Sequence, residues 1–150
     1  MARLTGNSLH RTLLSVLVLL VLIPVCIGAV DYPRPRGYVN DFAGVISGAD
    51  ARQIETVARS LEEHDIQLAV VSVDSLEGLG IEEYTIGLAE VWGVGTSEED
   101  LGVILLLAVG DRRIRIEVGY GLEGDLPDGL VGSILDQYVM EHLRAGNFSR

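Results

Sequence analysis

The sequence predicts one small α/β domain on a mixed β-sheet: a parallel βαβ unit, an antiparallel strand added through a hairpin, and helices packed on both faces. Three observations predict it. Two runs, 66–73 (IQLAVVSV) and 102–109 (GVILLLAV), are apolar and largely β-branched without polar alternation, the pattern of strands covered on both sides. Between them Ile81, Tyr84, Leu88 and Val91 recur at helical spacing. After the second run, Gly110-Asp111 leads into RRIRIEV, where Ile114, Ile116 and Val118 alternate with Arg113, Arg115 and Glu117. That is a hairpin into an amphipathic edge strand.

In chain order, Arg3, His10 and Arg11 precede an uncharged stretch at 12–30 whose centre, VLVLLVLIP, is almost purely aliphatic. A basic region followed by an apolar one is the pattern of an export signal. Pro24 closes the run, and the small residues Cys26 and Gly28 stand at the −3 and −1 positions for a cut after Gly28, with a cut after Ala29 the near alternative. The stretch is also long enough to span a bilayer, so residues 1–30 read as a cleaved signal peptide or as an uncleaved signal anchor. Residues 31–37, DYPRPRG, hold two prolines flanking Arg34 and predict an extended tether to a folded domain at 38–150.

Within that domain Ser47, with Asp50 three residues on, is an N-cap for a helix over 48–64 that would bury Ile54, Val57, Ala58 and Leu61. The strand at 66–73 follows, then a helix over 81–92 that stops at Gly93. Strand, helix and strand make 66–73 and 102–109 parallel neighbours joined by a right-handed crossover. The charged row of 112–118 would guard the sheet edge against stray pairing. A last helix begins near Asp128 and would bury Val131, Ile134, Leu135 and Tyr138.

Composition narrows the function. The formal net charge of the 150 residues is −11, and all the acidic residues lie beyond residue 30. Such a surface repels phosphate backbones, which excludes nucleic acid as a partner. It suits a divalent cation or a basic protein partner, and it also serves plain solubility. The one cysteine, Cys26, falls in the N-terminal segment, so the domain has neither an internal disulfide nor a thiolate zinc site.

GYGLEG at 119–124 satisfies the letter of G-x-G-x-x-G, but its context excludes a dinucleotide. The preceding strand is an edge strand entered by a hairpin, no later strand offers an acid for the ribose, and Glu123 would face the pyrophosphate. These glycines instead shape a turn from strand to helix. Beyond residue 30 the only imidazoles are His64 and His142, and no serine stands in a G-x-S-x-G elbow, so a catalytic triad finds no support. Carboxylates remain: Asp100 before the second buried strand, Glu117 near the end of the next, and Glu123, Asp125 and Asp128 after it. Because the last strand is antiparallel to its neighbour, these fall at one end of the sheet. Two readings stay open there, a hard-cation site and a set of solvated acids with Asp128 capping a helix.

Four motifs in order, VNDFAGVIS at 39–47, the QLAVVSV strand, DLGVILLLAVGDRRIRIEVGYGLEG at 100–124 and RAGNFS near the end, together resemble the TPM domain family. The family takes its name from thylakoid-lumen, photosystem II repair and receptor-accessory members. The resemblance implies an α/β sandwich, export or membrane anchoring, and one of several roles: acid phosphatase, calcium binder, or accessory factor in maintaining membrane complexes. Its acidic positions map onto Asp41, Asp100, Glu117, Glu123 and Asp128. Two departures matter: Asp100-Leu101-Gly102 stands where D-N-G is usual, losing an amide ligand, and Pro127 stands where threonine is usual. Family members usually continue into a further helix and a glycine-rich or membrane-spanning tail, so a chain stopping at NFSR reads as truncated at its C-terminus.

The expectation is therefore an accessory or scaffold protein at the periplasmic or other extracytoplasmic face of a membrane, attached through its N-terminal segment. It would serve a membrane-protein complex and bind calcium through Asp41, Asp100, Glu117, Glu123 and Asp128. The alternative is a metal-dependent acid phosphatase using the same acids.

Overall fold

The computed structural model describes residues 30–95 and 99–139. The expected targeting segment except Val30, the middle of the loop before the second buried strand, His142 and the RAGNFS motif lie outside the described residues. Among the described residues no helix is long and apolar enough to cross a membrane.

The elements run β1 (Val39–Asp41), α1 (Gly48–Glu62), β2 (Gln67–Val73), α2 (Ile81–Trp92), β3 (Gly102–Ala108), β4 (Arg113–Val118) and α3 (Asp128–Tyr138), with one 3-10 turn at Tyr120–Leu122. Four strands form one sheet in the order β1-β2-β3-β4. β1 pairs with β2 and β2 with β3 in parallel, while β4 is antiparallel to β3. The mixed α/β sheet read from the sequence is thus the fold. The sequence reading missed β1, because three residues are too few to show a period of two.

Register explains the core. Ala69, Val71 and Val73 of β2 stand beside Ile104, Leu106 and Ala108 of β3 on one face, and all are buried. α2 packs on β3 and β4, burying Tyr84 and Leu88, and α1 packs on β2 and β1. A buried leucine such as Leu88 or Leu106 contributes about 1.5–3 kcal/mol, so this layer carries much of the stability.

The caps follow the sequence. Ser47 Oγ accepts the Asp50 N–H and donates to its carboxylate, and α2 ends on Gly93 in the left-handed conformation. The buried helical stripes are narrower than expected, with Val57 53% and Val91 65% exposed. Ala58 is the fully buried residue of α1, while Val57 faces away from the sheet. α3 buries only Val131; Ile134 and Leu135 are half-buried and Tyr138 is 63% exposed, contrary to expectation. Nor does Asp128 cap that helix. Pro127 occupies the N-cap, and Asp128 sits in the first turn, where its charge meets the positive end of the helix.

Residues 32–36 carry no helix or strand yet are held at several points. The Tyr32 ring meets Tyr84 edge-on at 5.0 Å, and the Trp92 indole N–H donates to the Pro33 carbonyl at 2.8 Å. The Arg36 N–H donates to Asn40 Oδ1 at 2.6 Å, and the fully buried Asn40 donates from its amide to the Gly37 carbonyl.

Candidate functional site

The chain enters β3 through Asp100, whose φ of 49° is left-handed, a conformation aspartate tolerates better than most residues. Its Oδ2 accepts the Tyr120 N–H at 2.8 Å and its carbonyl accepts the Gly121 N–H at 3.2 Å. Asp100 thereby ties the start of β3 to the turn that follows β4. The surrounding glycines make room for it. A Cβ on Gly95 or Gly119 would lie 2.5 Å from Asp100 Oδ1, and one on Gly121 would collide with the Glu99 carbonyl. The GYGLEG glycines therefore serve close backbone approach in a strand-to-helix turn.

Beside this junction a cleft of ≈ 360 Å³ opens under α2, lined among others by Ile86, Glu90, Gly95, Asp100, Ile104 and Glu117. Glu117 is not simply solvated. Both Nε and a terminal nitrogen of Arg115 lie 2.7 Å from Glu117 Oε2, and Arg115 also approaches Glu82 of α2 at 3.6 Å. The charged row of β4, expected to face solvent at the sheet edge, is thus partly covered, with the Arg115 and Glu117 side chains 31% and 27% exposed. α2 overhangs β4, and it is the pairing of opposite charges that makes this tolerable.

Asp41 lies elsewhere. β1 is parallel to β2 and β3, so its last residue sits at the end of the sheet opposite Asp100, paired in register with Ser72. The Val45 and Ile46 N–H groups donate to its two oxygens at 3.0 Å each, and the Ser72 hydroxyl donates to Oδ1. Burial alone would raise its pKa, but the bonds from Ser72, Ile46, Val45 and Gly44 outweigh it and hold the carboxyl below the ordinary value. Asp41 closes the loop into α1.

The structure thus brings Asp100 and Glu117 to one cleft, leaves Glu123 and Asp128 exposed on the following loop and helix start, and separates Asp41 from all of them. Among the described residues no three aspartates, glutamates or histidines are placed to hold a metal ion together. Glu90 was missed by the sequence reading. It was legible: a crossover helix runs back against its strands, so the C-terminal turn of α2 must come down beside the start of β3.

The sequence matches the TPM domain over residues 39–150. No curated protein matches the chain. Among solved structures, the N-terminal domain of a P. gingivalis protein, determined in solution by NMR, is similar at 38% identity and a TM-score of 0.68, over 74% of this chain and 71% of that one. The N-terminal domain of a Corynebacterium glutamicum protein is 20% identical with a TM-score of 0.57, over 80% and 75% of the two chains, a likeness of fold. With the family pattern covering residues 39–150, most of its length, this chain belongs to the TPM domain family.

Proposed function

We propose that this TPM-domain protein is an exported accessory domain that works by binding a partner at a membrane surface, and that the cleft under α2 is its contact surface. One observation carries the reading: Glu90, Asp100 and Glu117 line a single cleft in a chain whose formal net charge is −11. A basic segment of a membrane-protein partner is the occupant whose charge suits it. Turnover is the less supported alternative, because Asp41 is taken up by Ser72 and the N–H groups of its own loop and Arg115 is engaged by two glutamates. A phosphatase needs an unengaged base and a cation presented to phosphate.

Calcium is a second reading, resting on the family resemblance and on Asp100 and Glu117 sharing the cleft alone, since no three carboxylates among the described residues are placed to hold an ion together. The donor set is thin, since Glu117 is shared with Arg115 and Asp100 Oδ2 with a backbone N–H. Affinity falls as ligand charges are lost, so binding of about 10⁻⁴–10⁻³ M is the expectation.

The test places a photo-crosslinking side chain at Glu90 in the full-length protein in its membrane. It should capture a protein with a basic segment, whereas a crosslinker at Glu55 on α1 should not. Equal capture from both positions would remove the cleft as the contact surface.

A further inference from the structure

β4 is the outer strand of the sheet, and among the described residues no strand lies beyond it. Register decides which of its backbone groups look outward. The Gly119 N–H donates to the Gly102 carbonyl, so residue 119 turns its backbone toward β3. Bonded and non-bonded positions alternate in an antiparallel ladder, so Arg113, Arg115 and Glu117 turn the same way, opposite Ala108, Leu106 and Ile104. Ile114, Ile116 and Val118 therefore point their N–H and C=O groups away from the sheet. An open row of this kind is a template for another strand.

The side chains narrow what that strand can be. Arg115 and Glu117 project on the α2 side, 31% and 27% exposed, while Ile114, Ile116 and Val118 lie half-buried on the other side. A second copy of β4, run antiparallel about a two-fold axis at Ile116, sets Ile116 opposite its twin, Ile114 opposite Val118, and Arg115 opposite Glu117 on both sides of the axis. Opposite charges meet, and apolar meets apolar. A slip of two residues either way destroys the match, since one sets Arg115 against Arg115 and the other Glu117 against Glu117. The charges that guard this edge against stray strands thus admit one partner. Each copy carries a net charge of −11, so the two repel at long range and can meet only where acids face bases. Because α2 packs on both β3 and β4, the two α2 helices would lie about two strand spacings apart, ~10 Å, an ordinary helix-packing distance.

We propose that two copies of this chain associate edge to edge through β4, antiparallel about Ile116, joining two four-stranded sheets into one of eight. The cleft under α2 borders this seam through Glu117 and Val118. Arg115 of the second copy then meets Glu117 at the rim of the cleft, so each copy contributes a cation to the other's site. Pairing two short strands buries little area, which makes the dimer a weak one that responds to concentration.

The test is sedimentation of the full chain in mild detergent over a wide range of protein concentration. The parent should pass from monomer to dimer. Arg115→Glu or Glu117→Arg alone sets like charges opposite one another at both symmetry-related pairs and should weaken association about tenfold. Mixed in equal amounts, the two variants restore every opposite pair, since the two acids of one chain face the two arginines of the other. The mixture should dimerise as strongly as the parent, a recovery that variants damaged in their fold could not show. A parent that stays monomeric throughout overturns the proposal, as it would if the edge serves a strand of another protein. Association indifferent to both single changes, as from pairing of the N-terminal segments, also overturns it. So does a mixture no stronger than either variant.

Discussion

A single methyl group at Gly119 should cost far more than an ordinary surface substitution. Built there, Cβ would sit 2.5 Å from Asp100 Oδ1 and closer still to the Asp100 carbonyl oxygen, a backbone atom. Neither oxygen is at liberty to retreat. Oδ2 of the same carboxylate holds the Tyr120 N–H, the carbonyl holds the Gly121 N–H, and the Gly119 N–H is itself bonded to the Gly102 carbonyl at 2.7 Å. Relieving the collision means parting the start of β3 from the turn after β4. That forfeits one charge-assisted bond of about 1.5–3 kcal/mol and at least one neutral bond of about 0.5–1.5 kcal/mol. The expected loss is about 3 kcal/mol, a large share of a total of roughly 5–15 kcal/mol. In urea, with a slope of about 1.5 kcal/mol/M, the midpoint should fall by about 2 M at constant slope. Gly132→Ala, on the exposed side of α3, is the control and should gain about 0.5–1 kcal/mol from helix propensity. A Gly119→Ala stability within about 0.5 kcal/mol of the parent would mean the Asp100 junction is soft and these glycines are not needed for close approach.

Asp41→Asn should cost about 2 kcal/mol at neutral pH, because an amide cannot accept from Ser72, Val45 and Ile46 together. Since the folded Asp41 carboxyl titrates below its ordinary value of 3.8, its contribution is complete above that pH and disappears as pH falls through the lower folded value. The stability difference between parent and Asp41→Asn should therefore narrow as pH falls below 3.8, and a gap that stays constant or widens on acidification would contradict it. Trp92→Phe removes the donor to the Pro33 carbonyl at a cost of about 1 kcal/mol and should hasten tryptic cutting after Arg36; unchanged digestion would show residues 32–36 are not held there. Melting residues 30–150 in chelator and in millimolar calcium tests the second functional reading: a hundredfold excess over Kd should add about 2.7 kcal/mol, and superimposed curves would leave partner binding alone.

The parts of the fold legible in the sequence are those with a strong period. β2 and β3 are buried on both sides and show it as unbroken apolar runs; α2 shows its stripe and its terminal glycine. β1 was invisible because its partner decides it: Asn40 and Asp41 are polar residues in a strand, tolerated because one ties residues 36 and 37 and the other the loop into α1. The same duty misled the site reading. Asp41 was grouped with the other acids by resemblance, whereas a parallel β1 puts it at the opposite end of the sheet, bonded to N–H groups of its own loop. Asp100 and Glu117 were correctly brought to one end, because an antiparallel hairpin dictates it. That Arg115 neutralises Glu117 could not be read from a strand whose alternation says only which side each residue takes.

The strand order also sets a timetable. β3 and β4 meet across a turn of a few residues, while β1 must wait for β2 and β2 for β3, each across an intervening helix. Loop closure is slow in proportion to the chain it must gather, so the hairpin is expected to form first and β1 last. The residues made first are thus the latest to find partners. β1 and residues 32–36, which lean on β2 and α2, are then the last parts to settle and the first to loosen, so their amides should exchange faster than those of β3.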